Sequence, residues 1–277
     1  MTASRRRHRG SSPNAQRARS LLETAQGALT VRHLATLELW WVDGDRPAAG
    51  AAAEMTVLGY DVAPVREAHP HRYVARKDLL TSTGTVAEKA QPIGMPLLVT
   101  RDLGLMDAVL ALERSSFFFV LDSRELAGVV TWADLQRPSV SMAVLATILA
   151  CESALAAMIA REYGDSWPAA LAERRRSGLE EVYAQRRRSN TEIARFDCLM
   201  LGDRLALVRR QERLRQAVGF DSVSGFSGWA RELTRVRNVL AHGGTVLDYK
   251  PMPAEAIALL KRLHEFGERC CGAAATE

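Results

Sequence analysis

The chain has 277 residues, of which 47% are hydrophobic and 25% are charged, and its net charge is +5. This composition excludes a disordered, collagen-like or fibrous chain, and the length allows about two domains. The four cysteines include no C-x-x-C pair. That spacing excludes a disulfide framework and predicts a reducing, cytoplasmic location.

Positive charge is concentrated at the N-terminus. Residues 1–20 hold six arginines and no acidic residue, whereas residues 21–138 carry 11 basic and 15 acidic groups. We therefore predict that residues 1–27 form a disordered basic arm, which is either simply solvated or attracts nucleic acid. Arginine outnumbers lysine 33 to 4, which fits a GC-rich bacterial genome.

No segment is expected to cross a membrane. The most apolar stretch covers residues 141–160, but Glu152 lies in its middle. Because a spanning helix needs about 20 mostly apolar residues, a buried core helix explains this stretch better. The N-terminal arginines are not followed by the apolar stretch of a secretory signal.

A repeated pattern runs through residues 61–78 and 116–134. Each copy predicts a strand, a turn, a second strand and then a helix that begins at an aspartate, either Asp78 or Asp134. A helical stretch precedes each copy, at residues 47–59 and 103–114. Short apolar strands between helices favour a small sheet covered by helices.

This repeat resembles the CBS (cystathionine-β-synthase) domain pair over residues 28–138. The resemblance implies that Thr131 and Asp134, in the turn Gly128-Val-Val-Thr-Trp-Ala-Asp134, hold the ribose of an adenine nucleotide such as AMP, ADP or ATP. In the first copy Ala75 stands where the hydroxyl would be, although Asp78 remains, so we expect one nucleotide site at most. A second interpretation stays open, in which Thr131 or Asp134 only caps the helix that follows.

After Pro138 the pattern becomes helical. Pro253 is expected to open the last helix, and Gly243-Gly244 to end the one before it. We predict an α-helical domain over residues 139–277, so the fold class is α+β, with an α/β module followed by an all-α bundle. The main helices are predicted at residues 141–161, 191–220 and 229–242, the last capped by Ser227 or a neighbour.

The chemically informative stretch is Arg237-Asn238-Val-Leu-Ala-His242. On a helix Asn238 and His242 share a face, and the long Arg237 side chain can reach the same surface. RNA carries its own nucleophile, the 2′-OH, so its cleavage needs a group that exchanges protons near neutral pH and a cation for the phosphorane charge. Histidine and arginine supply these two functions without a metal, and the sequence contains no clear metal-ligand set.

This motif resembles the R-x4-H hallmark of the HEPN superfamily (higher eukaryotes and prokaryotes nucleotide-binding), over residues 140–270. The resemblance implies a homodimer that cleaves RNA without a catalytic cofactor, leaving a 2′,3′-cyclic phosphate and a 5′-hydroxyl. Arg237 would stabilise the transition state, His242 would act as acid and base, and Asn238 would orient one of them or the phosphate. In one subgroup an antitoxin modifies a tyrosine at the position of Gly244. That control is not supported here, although an antitoxin can be a separate chain.

Two further sets of residues have a functional and a structural interpretation. Glu152 either orients Arg237 or forms a structural salt bridge, because a carboxylate in an apolar helix face is costly unless it is paired. Arg186, Arg187 and Arg188 either follow RNA phosphates beside the cleft or form a solvated helix face.

The sequence therefore predicts a nucleotide-regulated, metal-independent endoribonuclease of a toxin or stress-response type. The competing hypothesis is a non-catalytic adaptor that senses a nucleotide and whose HEPN-like domain binds RNA or a protein partner.

Overall fold

The computed structural model describes residues 13–66, 71–189 and 192–276. The chain forms two compact units. One is Thr30–Asp134, and the other joins the described residues before Thr30 to the described residues after Asp134. The predicted range of the first unit, residues 28–138, differs from this one by two residues at its start and four at its end.

The N-terminal helix belongs to the second unit and corrects the prediction of a disordered arm. Residues 13–28 form α1 (Pro13–Ala28), in which Ala15, Ala18 and Leu22 are buried. These residues are spaced three and four apart, so they form one apolar face, and α1 packs against two later helices. The rest of the arm, residues 1–12, lies outside the described residues.

The α/β unit consists of two halves that share the order strand, helix, strand, strand and helical turn. The first half contains β1 (Val42–Asp43), α2 (Ala48–Leu58), β2 (Val62–Arg66), β3 (Arg72–Ala75), α3 (Arg76–Leu80), α4 (Val86–Lys89) and β4 (Gln91–Pro92). The second contains β5 (Leu98–Thr100), α5 (Leu105–Ala111), β6 (Phe117–Asp122), β7 (Glu125–Thr131) and a 3-10 turn, Trp132–Gln136. The predicted order of strand, turn, strand and helix thus occurs twice.

The helices after the second strand of each pattern begin earlier than predicted. Instead of beginning at Asp78, α3 begins at Arg76, and the equivalent turn in the second half begins at Trp132 and is 3-10 rather than α-helical. The two aspartates therefore lie inside the first turn.

The two sheets are interlocked through their outer segments. The first sheet has the order β1-β2-β3-β4, and the second has the order β5-β6-β7. Thr36, which precedes β1, exchanges two backbone hydrogen bonds of 2.9 and 3.0 Å with Val129 on β7. Likewise β4, which precedes β5, pairs with β3. The segment before the first half therefore pairs with the second sheet, and the segment before the second half pairs with the first sheet.

Gly128 allows this close approach. A Cβ atom at this position would lie 2.7 Å from the carbonyl oxygen of Thr36, which is well inside van der Waals contact. Behind the first sheet, α2 and α3 bury an aliphatic core that includes Met55, Val65 and Leu79. A second cluster around Phe119 includes Tyr73 and Phe117, so aromatic rings of β3 and β6 pack together.

The helical unit is built around α6 (Pro138–Tyr163). Its remaining elements are a 3-10 helix Gly164–Ala170, α7 (Glu173–Arg187), a 3-10 turn Arg195–Cys198, α8 (Leu201–Arg210), α9 (Glu212–Ala217), α10 (Val223–Ala241), α11 (Val246–Tyr249) and α12 (Pro253–Ala275). As predicted, Pro253 opens the last helix. Since α6 contacts α1, α8, α10 and α12, it forms the centre of the bundle.

By length and composition, residues 138–170 form a stretch that could cross a membrane. The rest of the protein buries 67% of its most apolar window, as expected of the core helix of a bundle.

The helix predicted over residues 191–220 is broken into shorter pieces. Side-chain carboxylates cap new starts inside it, because Asp197 accepts a hydrogen bond from the Ala194 amide and Asp203 accepts one from the Met200 amide, both of 3.1 Å. Gln211 has extended dihedral angles and separates α8 from α9. Residue 191 lies outside the described residues.

The helix that carries the R-x4-H motif begins earlier than predicted. The hydroxyl of Ser222 accepts a 3.0 Å hydrogen bond from the Gly225 amide and caps α10, so residues 223–228, ahead of the predicted start at residue 229, are helical. Ser227 is inside the helix and donates to the Val223 carbonyl. The predicted stop is confirmed, since Gly243 follows the helix with a φ of +84°.

Candidate functional site

The α/β unit contains a cavity of about 520 Å³ between its two strand-to-helix turns. Ala75, Arg76 and Lys77 line it from the first turn, and Thr131, Trp132 and Ala133 line it from the second. The volume lies in the range of pockets for small molecules. The remaining lining residues are Thr56, Asp61, Val62, Leu80, Ser116 and Phe117.

The second turn is held together by the side chain of Asp134. Its Oδ2 accepts a 2.7 Å hydrogen bond from the Thr131 amide and lies 3.4 Å from the Thr131 hydroxyl oxygen. The Thr131 hydroxyl in turn accepts from the Ala133 amide at 3.2 Å. Asp134 is only 5% exposed and does not line the cavity. These contacts agree with the interpretation in which Thr131 or Asp134 caps the helical turn that follows. Of the two predicted ribose ligands, the structure brings only Thr131 to the cavity.

The first turn brings positive charge to the cavity instead of a hydroxyl. Arg76 pairs with Asp61 at 2.5 Å. Lys77 is exposed. The predicted ligand Asp78 does not line the cavity, and its carboxylate lies 3.5 Å from the Gln91 side-chain amide. Arg76, Lys77 and Asp61 were not singled out from the sequence, although the pattern Ala75-Arg-Lys-Asp78 contained two of them.

Two aromatic side chains, those of Trp132 and Phe117, contribute to the apolar part of the wall. Trp132 is 39% exposed, and its indole Nε1 donates a 3.2 Å hydrogen bond to the Leu112 carbonyl, which fixes the ring. Phe117 packs edge-on against Tyr73, with ring centroids 5.3 Å apart. Burial and the nearby Asp78 raise the pKa of the Tyr73 phenol. The wall of the cavity thus contains both cationic and aromatic side chains.

The R-x4-H motif lies at the C-terminal end of α10. Arg237, Asn238 and His242 are all exposed, so the structure brings the three predicted residues to one end of one helix. The Arg237 guanidinium donates a 3.3 Å hydrogen bond to the Asn238 side-chain oxygen. His242 is the C-cap residue, and its amide donates to the Asn238 carbonyl at 3.1 Å.

Packing requires a glycine at position 244, two residues after the motif. A Cβ atom at Gly244 would lie 2.8 Å from Cγ1 and 3.0 Å from the carbonyl oxygen of Val239. A tyrosine at this position would therefore force the helix end to shift.

Glu152 has a different partner from the one predicted. Its carboxylate lies 3.4 Å from Nη1 of Arg204, which also donates to the Glu152 carbonyl at 3.1 Å. Both side chains are largely buried, and this burial lowers the pKa of Arg204, partly offset by the charge of Glu152. The assignment of Glu152 to Arg237 is therefore corrected, because its charge is neutralised within the bundle by α8.

The three arginines predicted to contact RNA lie at the exposed end of α7. Arg186 donates weakly to the Asp197 carbonyl at 3.4 Å, and Arg187 to the Tyr183 hydroxyl at 3.2 Å. Arg188 is the C-cap residue. Basic residues at a helix C-terminus are favoured by the helix dipole, which gives them a structural role. In residues 13–66, 71–189 and 192–276, no group of three or more His, Cys, Asp or Glu side chains is arranged to hold a metal ion.

The chain matches no protein-family model and no curated protein. It is similar to solved structures of CBS-domain proteins over its N-terminal part. One is the CBS-pair protein CBSX2 from Arabidopsis thaliana, with 21% identity, a TM-score of 0.33, and coverage of 38% of this chain and 90% of that one. CBSX2 in complex with AMP gives 22% identity, a TM-score of 0.34, and coverage of 38% and 92%. The CBS domain of a bacterial CNNM/CorC family Mg²⁺ transporter in complex with ATP gives 22%, 0.35, and coverage of 48% and 98%.

Proposed function

We propose that the protein is an adenine-nucleotide sensor, in which the Thr30–Asp134 unit binds the nucleotide and the helical unit acts as an adaptor for RNA or a protein partner. The cavity between the two turns is the observation that carries this proposal. A ligand with an aromatic base and an anionic group matches the aromatic and cationic side chains of its wall.

The chemistry of the wall suggests an orientation for the ligand. Trp132 and Phe117 offer surface for the base, while Arg76 and Lys77 offer charge for the phosphates. Asp61 and the Thr131 hydroxyl are within the same wall and can accept hydrogen bonds from ribose hydroxyls. This assignment replaces the buried Asp134 carboxylate by that of Asp61.

Isothermal titration with AMP, ATP and adenosine tests the proposal. We expect one AMP per chain, and we expect Lys77→Ala to weaken AMP binding about tenfold because an ion pair to phosphate is lost. Adenosine binding should be unchanged in that variant. Lys89→Ala is the matched control, since it removes the same charge from the same unit outside the cavity. Failure of AMP and ATP to bind at millimolar concentration, or equal losses in both variants, would contradict the proposal.

RNA cleavage is the second candidate function, and the exposed cluster of Arg237, Asn238 and His242 favours it. If this HEPN-type chemistry operates, the wild type cleaves mixed tRNA and mRNA in EDTA and leaves cyclic-phosphate ends. His242→Ala should fold but lose cleavage by about 100-fold or more. Cleavage that survives in His242→Ala would remove this candidate, whereas no cleavage in either form would leave the adaptor.

Regulation requires that the nucleotide bind two states of the protein with different affinity. Adding AMP or ATP to the cleavage assay, and to sedimentation measurements of the proposed homodimer, tests this coupling. A nucleotide that binds but changes neither cleavage nor association would contradict the regulatory role. A separate antitoxin and a cytoplasmic setting remain proposals.

A further inference from the structure

A groove runs along the surface between α8 and α10. On α8 its lining residues recur at helical spacing, and the same holds for α10, so each helix contributes one continuous face. Two adjoining cavities of about 430 and 440 Å³ form the groove and share Gly202, Ala206 and Thr234. The lining residues that matter for binding are Gly202, Ala206 and Arg209 on α8 and Ala230, Arg231 and Arg235 on α10.

The floor of the groove is made of small and apolar side chains. Gly202 and Ala206 from α8 face Ala230 from α10, and none of these side chains extends beyond a Cβ atom. Small residues allow the backbone of another helix to approach closely. From residue 227 to residue 238, α10 spans about 16 Å, which is the length of about three helical turns.

The rim of the groove carries positive charge that the helical unit leaves unneutralised. Arg209, Arg231 and Arg235 form no ion pair among the residues that the structure describes, and Arg237 bonds only its neighbour Asn238. The single acidic side chain in the lining is Asp203. It is 4% exposed, and its two oxygens are bound by the Arg175 guanidinium at 2.7 Å each.

The positive charge of the rim, together with the lining, favours one of three possible binding partners: a second copy of the chain, single-stranded RNA, or a helix of another protein. In a symmetric dimer a surface patch faces itself, so the unpaired arginines of two copies would repel each other. Single-stranded RNA would match the charge, but the lining includes no aromatic side chain on which a base could stack. A helix with an apolar stripe and flanking carboxylates matches both the small apolar floor and the arginine rim.

We propose that this groove is a docking site for an acidic amphipathic helix of a partner protein. The inference rests on the adaptor role proposed above and specifies the chemistry of its partner. Since Arg237 and Asn238 line one end of the groove, the docked helix covers two residues of the R-x4-H motif. Partner binding and access to the motif are then mutually exclusive.

The test uses the full chain and a fluorescent synthetic peptide of about 16 residues, which covers the length of the groove. Its sequence places alanine and leucine at positions i, i+3, i+4 and i+7, with glutamates on both sides of this stripe. We expect saturable binding in fluorescence anisotropy, with perturbed amide resonances confined to α8 and α10. The double variant Arg231→Glu/Arg235→Glu should weaken binding about tenfold or more, and Ala230→Trp should block it sterically.

Three controls separate a helix site from general attraction. A peptide of the same composition in shuffled order keeps the charge but loses the stripe, and it should bind about tenfold more weakly. The variant Arg124→Glu/Arg174→Glu makes the same charge change outside the groove and should bind like the wild type. A single-stranded RNA oligonucleotide of equal charge should not compete with the peptide.

Equal binding of the shuffled peptide, displacement by RNA, or no saturable binding of the designed peptide at millimolar concentration would each overturn the proposal. AMP titration of the same samples reports on the other unit. Absence of peptide binding with intact AMP binding would contradict only the groove proposal. Absence of AMP binding would contradict the sensor proposal.

Discussion

The two halves of the α/β unit place an aspartate at equivalent positions, 56 residues apart, yet the two side chains have different surroundings. Asp134 is buried and bonds the backbone and hydroxyl of Thr131, whereas Asp78 is partly exposed and lies 3.5 Å from Gln91. The turn with the bound aspartate offers an indole and a hydroxyl to the cavity, and the other turn offers two cations. A repeat in sequence thus preserves the backbone path more strictly than the role of each side chain.

Replacing each aspartate in turn should produce the largest difference in stability between the two turns. Asp134→Ala leaves a buried amide without its acceptor, so we expect the free energy of unfolding to fall by about 3 kcal/mol. Asp78→Ala should lower it by less than about 1 kcal/mol, because only a long and partly exposed hydrogen bond is lost. Urea denaturation of both variants measures the difference. Equal losses would show that the two turns are held in the same way.

The close approach of Thr36 to β7 predicts a smaller effect. Gly128→Ala places a methyl group against a backbone oxygen, and we expect a loss of about 2 kcal/mol. The equivalent residue of the first half is Arg72, whose guanidinium instead donates to the Ala87 carbonyl. Gly50→Ala is the control, since nothing lies within 4 Å of its added methyl group and it should gain about 1 kcal/mol in α2. An unaffected Gly128→Ala would contradict the interlocked arrangement of the sheets.

A side-chain hydroxyl distinguishes the second turn, which has Thr131, from the first, which has Ala75. Adding a hydroxyl at residue 75 should stabilise the first turn as well. Thr131→Ala removes the acceptor of the Ala133 amide and should cost about 1 kcal/mol. Ala75 is the N-cap residue of α3 and makes no side-chain cap, so Ala75→Ser should gain about 0.5 kcal/mol. Thermal unfolding of the two single variants is the measurement. A serine that destabilises the first turn would show that the turns differ in backbone as well as in side chain.

The smallest effect concerns Tyr73, whose equivalent in the second half is Val129. Its pKa is raised, chiefly by burial, so its neutral form stabilises the folded state below about pH 10 and this contribution is lost as the pH rises through the folded-state pKa. Asp78→Asn should lower the Tyr73 pKa slightly, because the coulombic contribution of Asp78 disappears. Ultraviolet titration of the phenolate, with Tyr73→Phe subtracted, follows this change. A Tyr73 pKa that rises in Asp78→Asn would contradict the assignment.

Local patterns in the sequence predicted the elements that depend on neighbouring residues. The apolar runs at residues 117–121 and 129–131 are strands, and the glycine pair at residues 243–244 ends its helix. Contacts between distant residues could not be predicted in this way. Glu152 was expected to need a cation, but a single helix pattern does not specify whether Arg204 or Arg237 lies across from it. The charged residues of the cavity were likewise present in the sequence, but their position beside the second turn could not be predicted. The two turns come together only in the folded unit.

The position of α1 has a consequence for how the chain is made. Its apolar face contacts α6 and α12, which lie more than 100 and more than 200 residues later in the sequence. At about 5–20 residues per second, α12 leaves the ribosome roughly 10–50 s after α1. The α/β unit is continuous in sequence and can be complete before then, whereas the helical unit closes last. Truncated chains that lack α12 would therefore carry a finished α/β unit beside unpaired apolar helices, which is a recognisable signal for proteolysis.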